Sequence, residues 1–383
     1  MFIAWAVSLI IVIGGGLLFE FTYTPTPETQ AATTSSVDTA TATDHVPDAI
    51  GSYNENADSA RQEPVSAPSL PDSNSNGSND GVDELPAQQD PVNGLSMPGA
   101  ATTGDEARAA ISGPMPVQAD PALLETTNQG PLPRIAEDGR KPFQVYAAPP
   151  PRDTTGRPSI AIVVTDMGMM ARNTRRAIAK LPQAVTFAFS PYAPNLIEWG
   201  EEARRNGHEV LLMIPMEPQN YPQNDPGPLS LLTSYSTRQN VNMLRASLGG
   251  FTGYVGIINH MGSRFTAAAD SLRPILDELQ SRGLMIVDSR ASQYSRTVNM
   301  ARAIGLPSAY NNRYVDDSLI QDEIAAELEA LEGQARATGT AVGLAHNYPV
   351  SINTIERWAA GLEARGFILV PVTAIADRQP LPR

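Results

Sequence analysis

The sequence predicts an α/β fold: a distorted parallel (β/α) barrel of about seven strands, preceded by a transmembrane helix and a long disordered linker. Three features predict it. The first 19 residues carry no charged side chain. The next stretch, to about residue 157, is rich in Pro, Ser, Thr and Asp and poor in large apolar residues. From Ser159 onward, short apolar β-branched runs alternate with amphipathic helical segments.

The N-terminal run MFIAWAVSLIIVIGGGLLF spans Met1–Phe19. At a helical rise of about 1.5 Å per residue it covers roughly 28 Å, one hydrocarbon core. Residues 1–21 therefore read as a single-pass membrane anchor. A cleaved signal peptide is the rival reading, opposed by the length of the run and the lack of a Lys/Arg n-region. With no flanking Lys or Arg, the positive-inside rule fixes no orientation. The acidic segment that follows favours export, which puts the folded half outside the cytoplasm. Residues 22–157, including PTPETQAATTSS and PDSNSNGSNDGVDELP, cannot bury enough apolar surface to offset chain entropy. As a flexible coil this linker reaches roughly 65 Å r.m.s..

The charge is segregated in the same way. Residues 1–157 carry 20 acids and 7 bases; the remainder carries 21 acids and 20 bases. The net charge of −14 thus belongs to the N-terminal part, and the near-neutral folded half shows no nucleic-acid footprint. With no cysteine, disulfides and thiolate metal sites are excluded. There is neither a Walker loop for nucleotide nor a Gly-x-Ser-x-Gly nucleophile elbow.

The folded domain is placed at residues 158–377. Its strand runs are Ile160–Val164, Val185–Phe189, Val210–Ile214, Tyr254–Ile258, Leu284–Val287, Ala341–Leu344 and Phe367–Val370. Helices are expected at Ala171–Lys180, Asn195–Asn206, Ala268–Arg282, Leu319–Ala337 and Ile352–Arg365, with Gly207, Gly283, Gly339 and Gly366 punctuating their ends. Strands apolar on both faces and joined by helices imply a parallel sheet covered by helices. A closed or nearly closed barrel and an open doubly wound sheet both satisfy this pattern; the missing glycine fingerprint favours the barrel.

In such folds the working residues sit at the C-terminal ends of the strands. Asp166, Glu217, Asn259, His260, Asp288 and His346 all follow apolar runs, so one mouth should gather them. Asp166 reads as a metal ligand or base, or else as a helix N-cap. His260, in Asn-His-Met-Gly-Ser, reads as a ligand or catalytic group, or as a histidine bonding loop backbone. His346 reads as a proton donor or ligand, or as a polar strand end. Glu217 is a further ligand candidate, or a solvated loop acid. Asp288 would orient a histidine or bind metal, or simply pair with Arg290. Asp316, in Tyr-Val-Asp-Asp, is a weaker candidate of the same kind. His208 precedes its strand and should be structural, at the opposite end. Asp and His donors around one cavity suit a divalent cation, most simply zinc.

The segments IAIVVTDMG, VTFAFSPYAPN, GHEVLLMIPMEP, NHMGSRFT, VDSR, YVDD and AHNYP, in this order, resemble the divergent polysaccharide deacetylase family over about Ser159–Thr373. The resemblance implies a relative of the metal-dependent carbohydrate deacetylases, removing acetyl groups from a cell-envelope glycan. It matches Asp166 to the second Asp of the family's Asp-Asp pair, a metal position, His260 to the His of its Asn-His-Met-Gly-Ser motif, Asp288 to the Asp of its Asp-Ser-Arg motif and His346 to the His near its last strand. Together with their positions in the chain, Asp166, His260 and Glu217 are expected at the metal, His346 and Asp288 in catalysis, and Asn259, Arg290 and Asp316 toward substrate. Thr165 stands where the family has the first Asp of an Asp-Asp pair, and Met213 where it often has His. These two departures keep a second reading open: a degenerate module that binds glycan or a partner at the envelope.

Overall fold

A computed structural model describes residues 115–149, 151 and 156–382. The expected anchor and most of the expected linker lie outside the described residues. No helix among the described residues is long and apolar enough to cross a membrane.

The core is a curled parallel sheet. In chain order its strands are β3 (Ser159–Met167), β4 (Thr186–Phe189), β5 (Val210–Met216), β6 (Gly256–Met261), β7 (Met285–Asp288), β8 (Ser308–Tyr310), β9 (Arg313–Tyr314) and β10 (Thr340–His346). In space they run β8-β7-β6-β5-β4-β3-β10-β9, and β11 (Ile368–Leu369) pairs with the start of β3. The pairings are parallel throughout. The two end strands, β8 and β9, are separated in sequence only by Asn311 and Asn312. Two intervening residues span no more than about 11 Å, so the sheet must curl until its ends meet. The Asn311 amide donates to the Asp288 carbonyl beside β7, and the Asn312 amide donates to the Val342 carbonyl on β10, each at 2.8 Å. The barrel-like sheet is thus favoured over an open doubly wound one.

Alternation along the strands explains why both faces are apolar. Ile160, Ile162 and Val164 pack outward with the helices, whereas Ala161 and Val163 join an inner cluster with Leu211, Met213, Val287 and Leu344. The covering helices are α2 (Ala171–Lys180), α3 (Leu196–Arg205), α4 (Thr237–Leu248), α5 (Ala269–Ser281), α6 (Thr297–Ala303), α7 (Gln321–Thr338) and α8 (Pro349–Ala360). Helix α7 ends on Gly339 at φ +83°, a left-handed position that favours glycine. Helix α4 opens with a reciprocal capping box between Ser236 and Gln239.

One correction concerns the linker, which the composition extends to residue 157. Residues 124–127 and 130–133 form an antiparallel hairpin, β1 (Leu124–Thr127) and β2 (Gly130–Pro133), and Pro142–Val145 forms a single helical turn, α1. Leu123, Ala136, Val145 and Tyr146 are buried in the inner cluster and, with the buried Ala148, close the base of the curled sheet. The buried Arg204 guanidinium donates to the carbonyls of Pro116 and Gly253 and lies 4.7 Å from the Tyr146 ring centroid. The buried carboxylate of Glu209 accepts from the Ala148 amide at 3.1 Å and from the Thr373 hydroxyl at 2.6 Å. A few well-placed apolar side chains thus fold a segment whose average composition reads as a tail.

Candidate active site

The site is built on the C-terminal ends of β3, β5, β6, β9 and β10. The β3–β4 register shifts between Val164 and Met167, and Asp166 sits there in the left-handed region at φ +57°. Aspartate is among the few non-glycine residues that visit this conformation, because its short polar side chain bonds locally. The Asp166 amide faces the Met213 sulfur at 3.2 Å, and the Thr165 hydroxyl faces the Asp166 carboxylate at 3.0 Å. Thr165 pairs in register with His346 on β10, and Pro215 with His260 on β6. Strand register therefore brings residues far apart in sequence to one rim.

His346 is held at two points by the buried Asp316. Its Nδ1 lies 2.9 Å from one Asp316 carboxylate oxygen, and its main-chain amide donates to the other at 2.8 Å. The Ser351 hydroxyl donates to that second oxygen. The Tyr314 ring stacks at 6.2 Å and the Tyr348 ring lies at 5.8 Å. Burial works against a charged imidazole here. The hydrogen bond and charge of Asp316, with Asp166 and Asp317 behind it, override burial and push the His346 pKa up to about 9.

His260 takes the opposite course. Burial, aided by the positive charge of His346, lowers its pKa, and the charge of Asp166 only partly offsets this. Both imidazoles thus feel Asp166, and each feels or is felt by the other, so the three groups share one electrostatic environment. At neutral pH His260 is neutral and His346 is cationic.

Other expected residues fall elsewhere. Asp288 is buried in a turn, accepting from the Arg290 amide at 2.8 Å and the Ser295 hydroxyl at 2.7 Å, and burial raises its pKa. It is Asp316, expected on the substrate side, that orients His346. Asn259 is buried and ties β6 to the end of β7: its amide donates to the Ser289 hydroxyl at 2.7 Å and its oxygen accepts the Ser289 amide at 2.8 Å. Glu217 accepts from the Thr233 amide and lies 3.4 Å from the Arg264 guanidinium, bracing two loops. Arg290, at φ +54°, lies 5.5 Å from the Tyr310 ring centroid rather than in an ion pair with Asp288. With Gln293, Asn311, Arg313, Tyr314 and Asp317 it lines a cavity of about 460 Å³ that adjoins His346 through Tyr314. His208 faces the carbonyls of Val185 and Ile178 and stacks on Phe187 at 4.2 Å, a structural role at the base. Tyr314, Tyr348 and Ser351 were not singled out from sequence; only their closeness to Asp316 and His346 could have marked them.

The donor set does not fit zinc. A structural or catalytic zinc takes three or four nitrogen, oxygen or thiolate ligands. Among the described residues no group of three or more His, Cys, Asp or Glu is disposed to hold a metal. Asp166 and His260 are two donors. Glu217 is engaged elsewhere, and the side chain beside Asp166 is a thioether, a poor partner for a borderline cation.

The chain is thus a barrel-like parallel α/β protein with an aspartate and two histidines at its strand ends. Residues 162–376, more than half the chain, match the divergent polysaccharide deacetylase family, and the chain belongs to it. Two bacterial relatives are similar over half of this chain. Uncharacterized protein YibQ of Escherichia coli (strain K12) is 25% identical over 203 residues, 53% of this chain and 63% of its own length. An uncharacterized protein of Haemophilus influenzae (strain ATCC 51907) is 28% identical over 204 residues, 53% of this chain and 70% of its own. The match thus spans less than two thirds of the E. coli relative. The crystal structure of an uncharacterized protein from Agrobacterium tumefaciens C58 is 34% identical with a TM-score of 0.62, covering 64% of this chain and 99% of that one.

Proposed function

We propose that this domain hydrolyses acetyl groups on a cell-envelope glycan, held at the membrane by its N-terminal apolar segment, with its two histidines dividing the acid–base work. The observation that carries this reading is the opposed protonation of His260 and His346 beside one carboxylate, Asp166. Titratable groups whose surroundings push their pKa values apart are the usual signature of an acid–base pair. Neutral His260 takes a proton from water as that water attacks the acetyl carbonyl. Asp166 stabilises the imidazolium that forms. Cationic His346, held by Asp316, stabilises the oxyanion and then protonates the departing amine or alkoxide. The cavity beside Tyr314, with its amide and guanidinium donors, accommodates neighbouring sugar hydroxyls.

The test is acetate release from acetylated glycan by the full chain, compared with His260→Ala and His346→Gln. Loss of general acid–base groups typically costs about 10²–10⁴ in rate. No acetate release by wild type would remove the hydrolase reading.

Thr165 and Met213 support a second reading, a glycan-binding module descended from a deacetylase. Glycan retention by His346→Gln, with no turnover by wild type, is its signature.

A further inference from the structure

The exposed large apolar side chains are not scattered. Met169 and Met170 follow β3, Leu319 and Ile320 precede α7 after β9, and Tyr348 follows β10. The strands β3, β10 and β9 are neighbours in the sheet, and they carry or precede Asp166, His346 and Asp316. The two aliphatic pairs therefore flank Tyr348 and His346. All four members of those pairs are about half exposed, at 49–58%. Of the other exposed large apolar residues, Ile197, Tyr235 and Tyr294 also lie at the C-terminal side of the strands, in strand-to-helix connections or the turn that follows, and Leu381 lies in the C-terminal tail.

We infer that this rim is a lipid-surface contact, seating the mouth of the sheet on a bilayer. Single exposed apolar residues are ordinary, but their collection on one end marks a contact surface. The residues stand on loop tips around the mouth rather than lining a groove, which suits a flat apolar medium. Their chemistry is that of the headgroup–acyl boundary: aliphatic prongs with tyrosines between them. Arg172, exposed in the first turn of α2, stands next to the Met169–Met170 pair, where anionic headgroups attract a cation. Outside the described residues the chain begins with 19 uncharged residues, long enough to hold it at a bilayer. The glycan facing the mouth is then one presented at the membrane surface; that last step rests on the proposed deacetylase reading, while the lipid contact does not.

The chain has no cysteine, so one introduced thiol takes a label uniquely. The full chain carrying Ile320→Cys, and separately Asp138→Cys at the base, is labelled with an environment-sensitive fluorophore. Each is reconstituted in vesicles of phosphatidylcholine and phosphatidylglycerol. The expected result is a blue-shifted emission for the label at 320, with several-fold stronger quenching by nitroxide lipids than at 138. Adding Met169→Glu and Leu319→Glu should abolish the shift at 320, with the circular dichroism spectrum unchanged. Equal quenching of the two labels overturns the inference. So does a shift at 320 that needs a soluble protein extract or free glycan instead of lipid. Because the readout is not acetate release, failure here is distinguishable from failure of the hydrolase reading.

Discussion

Asp316 grips His346 with both carboxylate oxygens, one on the ring Nδ1 at 2.9 Å and one on the main-chain amide at 2.8 Å. This fixes the ring's orientation and directs its other nitrogen outward. It also keeps the ring protonated against the penalty of burial.

Asp316→Asn should drop the His346 pKa from about 9 toward the ordinary histidine range, read by NMR titration of the ring protons. Any acetate-releasing activity should lose its alkaline limb accordingly. The sign for stability follows from the raised folded-state pKa. The favourable His346–Asp316 pairing is fully present below the unfolded histidine pKa near 6.5 and fades as pH rises through about 9. Wild type should therefore lose stability across that window relative to Asp316→Asn. A His346 pKa unchanged in the variant would show that Asp316 is not what charges the ring.

Asp166→Asn keeps a side chain that tolerates the left-handed backbone, so folding should change by less than about 1 kcal/mol. Its charge supports protonation of both imidazoles, so both NMR-detected pKa values should fall together. Movement of only one would mean that the two histidines do not share this carboxylate.

Tyr146 is buried against the base of the sheet and under the Arg204 guanidinium. Tyr146→Ala should destabilise the chain by about 3–5 kcal/mol in urea denaturation. A loss under about 1 kcal/mol would mean that the N-terminal hairpin segment is a loose appendage.

Met213→His combined with Thr165→Asp would complete a donor set around Asp166 and His260. Zinc measured by mass spectrometry on the full chain should rise from well below one per chain to near stoichiometric. Stoichiometric zinc in wild type, lost in His260→Ala, would show that the thioether is no obstacle.

The strands were legible because each central one is buried on both faces, giving runs such as Ile160–Val164 that need no partner to be recognised. Strands β8 and β9 were not, being three and two residues long. Helix α4, TRQNVNMLRASL, was missed because its apolar stripe is thin, although Ser236 and Gln239 spell a capping box. At the site, Asp166, His260 and His346 were readable as polar residues ending apolar runs. The roles of Asp288 and Asp316 were not. Asp288 ends a short strand and Asp316 follows one, and only the placement of β9 beside β10 shows which carboxylate reaches His346.

The Asn311–Asn312 junction is where the sheet's two margins meet, and it has no slack. Strand-to-helix loops around the mouth can lengthen or shorten over evolutionary time with local effects only. Extra residues at this junction would instead let the margins part, opening two strand edges that already lack a ladder to each other to pairing with other chains. Sequence drift in the lineage should therefore gather in the loops and spare the length of this two-residue clasp.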